Sequence, residues 1–320
     1  MDIYFYEAFE EEAEALKAII GNKFTYEMTD KTIQEIGHIA PPSRLISIRT
    51  QSIIPSEWSE QLDGVLSRST GYDHLKKYLG TIQKQLPCGY LEEYATRAVA
   101  EHASLMMMAL MRRLPLQMTQ SQNFNRDGLT GSECADKNLL IVGVGRIGSE
   151  IAKIGKALGM NVRGVDIVKR YKDIHYVEKE EGIAWTDVIM CSMNLTNENK
   201  GYFSYKLLKQ AKNGTIFVNI ARGEHAPLSD IVRLMQENHL GGVGLDVFED
   251  EPNVAVALRN HNSHSSSESQ AITELLQYQN VLFTPHNAFN TVEAVHRKSQ
   301  FTINEVLYFL EKKDFRCRVR

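Results

Sequence analysis

The sequence predicts an α/β protein of two domains, the larger of which contains a doubly wound parallel sheet. The chain has 320 residues, more than a single hydrophobic core usually contains. Short apolar segments alternate with segments of helical composition, as in α/β folds. From residue 138 to residue 158, a buried-strand pattern, a glycine-rich turn and a helical pattern follow one another. This succession is typical of a parallel sheet with helical crossovers.

The pattern of the amino-terminal part predicts a small α/β domain. Its β-prone segments are Ile3–Phe5, Leu45–Ile48 and Gly64–Ser67, and its helical segments are Glu10–Ile20 and residues 31–36. Residues 92–113 are rich in Ala, Leu and Met and contain neither Pro nor Gly. That composition predicts one long helix leading into the next domain.

The second domain is predicted from a series of apolar strands separated by helical segments. The strand segments are residues 139–142, 162–165, 187–190, 215–219, 242–247 and 281–283. Such an alternation indicates a parallel sheet covered on both faces. Residues 260–270 are polar and rich in Ser and His, which predicts an exposed loop. We interpret His261 and His264 there as bystanders and expect no metal site.

Composition excludes several classes of function. The formal net charge of -4, with 24% charged residues, offers no basic face for a nucleic acid. The amino terminus lacks the basic start and apolar stretch of a signal peptide, so we expect a cytoplasmic protein. The apolar segment 105–111 is too short to span a membrane. The four cysteines lie far apart in the sequence, which favours reduced thiols over a zinc site or a disulfide framework.

A glycine turn carries the signal for a cofactor. Gly143, Gly145 and Gly148 form a GxGxxG pattern between a strand and a helix, where the backbone can approach a pyrophosphate and the helix N-terminus can bind it. Asp166 follows at the end of the next strand, where its carboxylate can accept hydrogen bonds from ribose hydroxyls and repel a 2'-phosphate. This pattern of a Rossmann domain favours NAD over NADP, although Lys169 and Arg170 could tolerate the additional phosphate.

Three further residues whose side chains could bind a ligand or take part in catalysis follow strands of the second domain. Arg222, Glu251 and His286 lie beyond the ends of strand segments, where open α/β sheets bind their ligands. Each also has a structural interpretation. Arg222 could form a surface ion pair, Glu251 could be a solvated acid, and His286 could be a core imidazole.

Together these residues resemble the D-isomer-specific 2-hydroxyacid dehydrogenase family. The shared motifs are VGVGRIG, NIARG, GVGLDVFEDEP and TPHNAF. The resemblance implies that Arg222 binds the substrate, that His286 is the acid-base residue and that Glu251 is its acidic partner. The residues to which it assigns cofactor contacts are Gly143, Gly145, Arg146, Ile147, Gly148, Asp166, Asn194, Thr196, Ala221, Asp246 and His286.

The resemblance extends to the first domain. The sequence STGYD at residues 69–73 is similar to the family's substrate-carboxylate loop, which implies that Thr70 and Gly71 bind substrate. Tyr94 matches a pocket tyrosine of lactate-type members, so a lactate-like substrate is expected. The family implies a flavodoxin-like substrate domain of residues 1–102 and 291–320, a cofactor domain of residues 103–290, and a homodimer.

The resemblance has departures and leaves alternatives open. Asn194 replaces a proline found in many members, and Glu224 and His225 replace small or apolar residues. Glu224 could temper the charge of Arg222, select a polar substrate or face solvent. A phosphite-type dehydrogenase and an NAD-sensing, corepressor-like binding protein remain alternatives to a 2-hydroxyacid dehydrogenase. A formate-type enzyme is disfavoured because its members carry glutamine at the position of Glu251.

Overall fold

A computed structural model describes residues 1–259 and 266–319. The chain divides into two compact units: residues 1–95 with 290–320, and residues 96–289. His261 and His264 lie outside the described residues. Within the described part, none of the helices combines the length and the apolar character that a membrane crossing requires.

The strands and helices alternate along most of the chain. In chain order they are β1 (Ile3–Phe5), α1 (Glu10–Ile20), β2 (Tyr26–Met28), α2 (Ile33–Ile36), β3 (Leu45–Ile48), β4 (Gly64–Ser67), α3 (Asp73–Leu79), β5 (Cys88–Gly89), α4 (Thr96–Met111), α5 (Leu114–Ser121), β6 (Asn138–Val142), α6 (Arg146–Ala157), β7 (Asn161–Val165), β8 (His175–Tyr176), α7 (Lys179–Trp185), β9 (Val188–Cys191), α8 (Tyr205–Leu208), β10 (Thr215–Asn219), α9 (Leu228–Gln236), β11 (Leu240–Leu245), α10 (Glu251–Arg259), α11 (Ser267–Leu275), β12 (Val281–Phe283) and α12 (Val292–Lys312).

The first unit contains a parallel sheet of the described strands in the order β2-β1-β3-β4-β5. This is the 2-1-3-4-5 order of flavodoxin-like folds. Helix α1 packs against α12, so the end of the chain returns to the unit in which it began. The predicted flavodoxin-like class of the smaller domain is confirmed.

The second unit contains a parallel sheet of the described strands in the order β12-β11-β10-β9-β6-β7-β8. Strands β7 and β8 lie on one side of β6, and β9 to β12 lie on the other, as in a Rossmann fold with its switch point between β6 and β9. Successive residues of β6 point to opposite faces, because side chains alternate along a strand. Leu140 and Val142 join one buried core, and Leu139 and Ile141 join the other. The centre of the doubly wound sheet is therefore buried on both faces.

Several element boundaries differ from the sequence predictions. The helix predicted for residues 92–113 begins at Thr96, just after Glu93, whose φ is 62°. All of α4 belongs to the second unit, so the structural division falls before Thr96, whereas the predicted boundary followed residue 102. The prediction of a loop through residues 260–270 was wrong for its last part, because Ser266 caps helix α11 through its side chain.

Candidate active site

The carboxyl ends of the central strands lie side by side in the second unit. In the register of the sheet, the terminal residues Val165, Val142, Cys191, Asn219, Leu245 and Phe283 are successive neighbours. Parallel strands that end in register bring the following loops to one edge. The glycine turn, Asp166, Arg222, Asp246 and His286 therefore all emerge along the same edge of one sheet.

His286 and Glu251 form a close pair at this edge. The ring Nδ1 of His286 lies 2.8 Å from each carboxylate oxygen of Glu251, and the two side chains are 21% and 14% exposed. A partly buried carboxylate at this distance stabilises the imidazolium and fixes the ring orientation. Because Glu251 occupies Nδ1, Nε2 is the nitrogen available to exchange a proton with a substrate.

Asp246 holds the loop that carries His286. This aspartate is 1% exposed, and its carboxylate accepts hydrogen bonds from the backbone N–H groups of Asn287 and Ala288 at 2.8 and 3.0 Å. Its backbone oxygen accepts the N–H of His286 at 2.9 Å. These contacts support the positive φ of His286, 51°, a conformation that needs support from its surroundings. The structure thus gives Asp246 a positioning role for the loop, while its cofactor contact stays a prediction.

A hydrogen-bonded chain extends from Asp246 to helix α4. The hydroxyl of Thr284 lies 2.5 Å from Oδ1 of Asp246 and 3.0 Å from Nε2 of His102. Since the single hydroxyl proton is donated to the carboxylate, His102 donates to the hydroxyl oxygen. Neither residue was predicted to belong to the site. Their separation of 182 positions leaves no local signal for this contact.

Contacts with buried neighbouring residues hold the turn that carries Arg222. The side-chain amide of Asn219, 1% exposed, donates to the backbone oxygen of Arg222 at 2.8 Å and accepts the N–H of Ala221 at 3.0 Å. A Cβ atom at Gly223 would come within 1.8 Å of the backbone carbon of Phe248. Only glycine therefore lets this turn pack against the segment that leads to Glu251.

Close backbone contacts define the conformation of the glycine turn. Gly143 has a φ of 92°, and a Cβ there would lie 2.6 Å from the backbone nitrogen of Met193. A Cβ at Gly148 would lie 2.2 Å from the backbone oxygen of Gly143, whereas one at Gly145 would meet nothing within 4 Å. Gly145 caps α6 without a side-chain hydrogen bond. The N–H groups of the first helical turn, which begins at Arg146, can therefore bind phosphate, and the second glycine leaves the approach open.

Asp166 follows β7 beside this turn. One carboxylate oxygen accepts the N–H of Val144 at 2.6 Å, and the other accepts the N–H of Val168 at 2.8 Å. The half-buried side chain is thus oriented by backbone on both sides. In dinucleotide-binding folds, a carboxylate at this position is expected to accept hydrogen bonds from the ribose hydroxyls.

The loop after β9, residues 193–199, which we call the cofactor loop, contains the predicted residues Asn194 and Thr196. Both are exposed. The side chain of Asn199 stabilises the loop by donating to the backbone oxygen of Asn194 and accepting the N–H of Thr196, each at 2.8 Å. Directly before the loop, the hydroxyl of Ser192 donates to the backbone oxygen of Gly143 at 2.6 Å. The cofactor loop is therefore attached to the glycine turn.

The predicted substrate residues of the first unit differ in exposure. Thr70 is exposed and Gly71 is half-buried in the loop that follows β4. The backbone oxygen of Gly71 accepts a hydrogen bond from Ser69 at 2.7 Å. Tyr94 is 5% exposed, and its backbone oxygen accepts Nε of Arg297 at 2.9 Å. Their contacts with substrate stay predictions.

Comparison with known proteins identifies the family. The sequence profile described as "D-isomer specific 2-hydroxyacid dehydrogenase, NAD binding domain" matches residues 104–288, which is more than half of the chain. The chain belongs to this family. Its second unit contains the NAD-binding domain of a D-isomer specific 2-hydroxyacid dehydrogenase, and NAD is its cofactor.

Individual relatives agree with this assignment. The chain is 32% identical to D-lactate dehydrogenase of Escherichia coli (strain K12) over 219 residues, 67% of this chain and 66% of that protein. It is 33% identical to D-3-phosphoglycerate dehydrogenase of Bacillus subtilis (strain 168) over 221 residues, 67% of this chain and 39% of that protein. Each alignment thus spans less than two thirds of the relative's length. A crystal structure of D-lactate dehydrogenase from Aquifex aeolicus, complexed with NAD and lactic acid, has a TM-score of 0.85 and 26% identity, covering 97% of this chain and 96% of that one.

Proposed function

We propose that this protein is an NAD-dependent oxidoreductase that interconverts a small D-2-hydroxy acid and its 2-keto acid. The contact of both Glu251 oxygens with Nδ1 of His286, at 2.8 Å, carries this proposal. It pairs a proton-exchanging imidazole with a charge-stabilising carboxylate. Arg222 and the glycine turn emerge at the same sheet edge, which supplies an anion-binding group and a cofactor site for the same chemistry.

In the direction of reduction, Arg222 binds the carboxylate of the keto acid, because its planar guanidinium suits paired oxygens. The cofactor, when bound, supplies the hydride that C2 of the substrate gains. Nε2 of His286 donates a proton to the carbonyl oxygen, which becomes the hydroxyl of the product. Glu251 stabilises the imidazolium before the transfer, and the neutral ring then takes a proton from solvent. In the opposite direction His286 acts as the base.

The substrate class is a small monocarboxylic 2-keto acid, with pyruvate and D-lactate as the leading pair. The D-lactate dehydrogenases among the relatives support this choice, as does Tyr94, which matches lactate-type members. We further propose that Thr70 and Gly71 bind a carboxylate oxygen of the substrate. A homodimer and a cytoplasmic location stay predictions.

A screen of 2-keto acids with NADH tests the proposed function. Consumption of NADH is followed spectrophotometrically with pyruvate, longer 2-keto acids and hydroxypyruvate, and NAD reduction is followed with D- and L-lactate and with phosphite. We expect turnover with at least one keto acid and selectivity for the D-isomer. Turnover of phosphite alone would replace the proposal with a phosphite-type enzyme. NADH binding without turnover of any compound would favour the corepressor-like alternative.

Replacing Asp166 with Ser is expected to change the choice of cofactor. The carboxylate that accepts ribose hydroxyls and repels a 2'-phosphate is removed. We expect weaker NADH binding and a rise of about tenfold or more in the preference for NADPH, comparable to one charged contact. Dissociation constants for both cofactors provide the measurement, with the exposed Asp173→Ser as the control. An unchanged ratio for Asp166→Ser would contradict the assignment.

Replacing Arg222 with Lys is expected to lower kcat/KM for the keto acid by about 10²- to 10³-fold, because an ammonium group cannot form two parallel bonds to a carboxylate. NADH affinity is expected to change little. Arg233→Lys provides a control, because Arg233 is an exposed residue of α9. Its guanidinium forms an ion pair with Glu237 at 3.1 Å. Near-normal kinetics of Arg222→Lys would return this arginine to a structural role.

A further inference from the structure

His225 departs from the family pattern, and the structure buries it completely. It belongs to the short 3-10 helix Gly223–His225, directly after Arg222, and it is 0% exposed. The family usually has a small or apolar residue here. A buried imidazole needs hydrogen-bond partners for its ring nitrogens.

Both ring nitrogens of His225 face backbone carbonyls of the cofactor loop. Nδ1 lies 3.2 Å from the oxygen of Asn199, and Nε2 lies 3.3 Å from the oxygen of Met193. The backbone oxygen of His225 also accepts the N–H of Phe203 at 2.8 Å. The ring therefore connects the Arg222 turn to both ends of the cofactor loop.

This geometry suits an imidazolium better than a neutral ring. A neutral imidazole carries one N–H, so one of the two carbonyl oxygens would face a nitrogen lone pair, whereas an imidazolium donates to both. Burial is the larger effect and lowers the pKa of His225 from its ordinary value of 6.5, while the carbonyls of Asn199 and Met193 oppose that shift only in part. The ring is therefore neutral at pH 8 and gains its second hydrogen bond only when the pH falls. Among the described residues, Arg222 and Glu224 are the charged groups acting on the ring, and they act in opposite directions.

The position of the cofactor loop bears on the cofactor site. Its first residue, Met193, packs closely against Gly143. A Cβ atom placed on Gly143 would lie 2.6 Å from the backbone nitrogen of Met193. The predicted cofactor residues Asn194 and Thr196 lie between the two carbonyls that His225 contacts. A change in the ring's hydrogen bonds therefore acts on the segment that is expected to contact NAD.

We propose that His225 is a positioning residue that holds the cofactor loop against the Arg222 turn and links its own protonation to NAD binding. Protonation adds the second hydrogen bond and fixes the loop in the conformation seen here. NAD binding to that conformation in turn favours the protonated ring, because linkage between two binding events is reciprocal. This inference rests on the NAD binding of the proposed function, but it does not depend on turnover.

Calorimetric titration with NAD+ at pH 8 and pH 6 tests the proposal. One additional hydrogen bond corresponds to a tightening of about two- to tenfold, and we expect wild type to gain up to this much at pH 6, with proton uptake on binding. His225→Asn places an amide donor near the position of Nδ1, and His225→Gln places one near the position of Nε2. Neither amide can be protonated. Both are expected to bind NAD+ at pH 8 about as well as wild type and to lose the gain at pH 6.

Two further variants separate positioning from general damage. His225→Leu removes both donors, so we expect about five- to tenfold weaker NAD+ binding at both pH values, with kcat at saturating cofactor within about twofold of wild type. His239→Gln alters another buried histidine, whose Nε2 contacts the oxygen of Leu208 at 3.1 Å, and should keep the wild-type pH dependence.

The outcomes distinguish the role of His225 from the proposed function. If His225→Gln and His225→Asn retain the pH dependence and proton uptake of wild type, the role of His225 is overturned while the proposed function stands. If wild type binds no NAD+ at either pH, the proposed function is overturned, and this inference falls with it. Loss of the pH dependence in both amide variants, with retained binding at pH 8, supports the proposal.

Discussion

His286→Gln is expected to lose about 10²- to 10⁴-fold in kcat/KM for keto-acid reduction at every pH, the usual contribution of a positioned acid-base group. Glutamine can still donate a hydrogen bond to Glu251, so the two segments that carry residues 286 and 251 should remain in place. It cannot deliver a proton to the substrate oxygen. The loss should therefore appear in kcat, while the dissociation constant for NADH stays within a few-fold of wild type.

The control for this variant is His175→Gln, which alters an exposed histidine in the edge strand β8. It should retain wild-type kinetics. If His286→Gln stays within a few-fold of wild type while the same preparation turns over keto acid, the proton donor is another group. If both variants lose activity equally, the effect is not specific to the site.

The second large effect is expected on stability, in a buried ionic cluster of the first unit. Glu12, Arg68 and Lys298 are 3%, 0% and 1% exposed. One carboxylate oxygen of Glu12 lies 2.9 Å from Nε of Arg68 and 3.0 Å from Nζ of Lys298. Arg68 also donates to the hydroxyl of Ser47 at 2.9 Å. The cluster connects α1, the end of β4 and α12.

Glu12→Gln is expected to lower the free energy of unfolding by about 3 kcal/mol, since removing one partner leaves uncompensated buried charge. Burial lowers the pKa of Lys298 to about 7, so this lysine can relieve part of the cost by losing a proton. Arg68 cannot, because a guanidinium stays protonated in proteins. Urea denaturation at pH 7 measures the difference. Glu11→Gln, on the neighbouring exposed residue, should stay within about 0.5 kcal/mol of wild type.

The same cluster predicts a pH dependence with a defined sign. Burial alone would raise the pKa of Glu12, but Arg68 and Lys298 together lower it from its ordinary value of 4.5 to about 2. The carboxylate therefore contributes stability that is fully present above pH 4.5 and is lost as the pH falls toward 2. The stability difference between wild type and Glu12→Gln should shrink across that range. A difference that is constant with pH, or absent at pH 7, would contradict the account.

Much of the fold was predictable from the sequence because hydrophobic patterning decides which segments are buried. Strands β1, β3 and β4 and the alternation of the second unit follow directly from apolar segments. The short strands β2, β5 and β8 were not predicted. They have two or three residues each, and β2 has no fully buried residue, so neither length nor periodicity distinguishes them from loops.

The candidate site was predictable where a motif carries it and not where tertiary contacts build it. Gly143, Gly148 and Gly223 occur in motifs, and the structure shows the close contacts that exclude a side chain at each. The contact of His102 with Thr284, by contrast, joins residues that no local pattern relates. His225 was visible in the sequence as a departure, but only the fold shows that its ring reaches two carbonyls of the cofactor loop.

The kcat/KM for keto-acid reduction, measured for wild type and Glu251→Gln in the same buffer, tests the His286–Glu251 couple most directly. Both carboxylate oxygens of Glu251 contact Nδ1 of His286 at 2.8 Å, and a hydrogen bond to a carboxylate is stronger than one to a neutral amide. We expect Glu251→Gln to lower kcat/KM by about tenfold or more, while the dissociation constant for NADH stays close to that of wild type. Equal kcat/KM for the two proteins would contradict the acid-base couple.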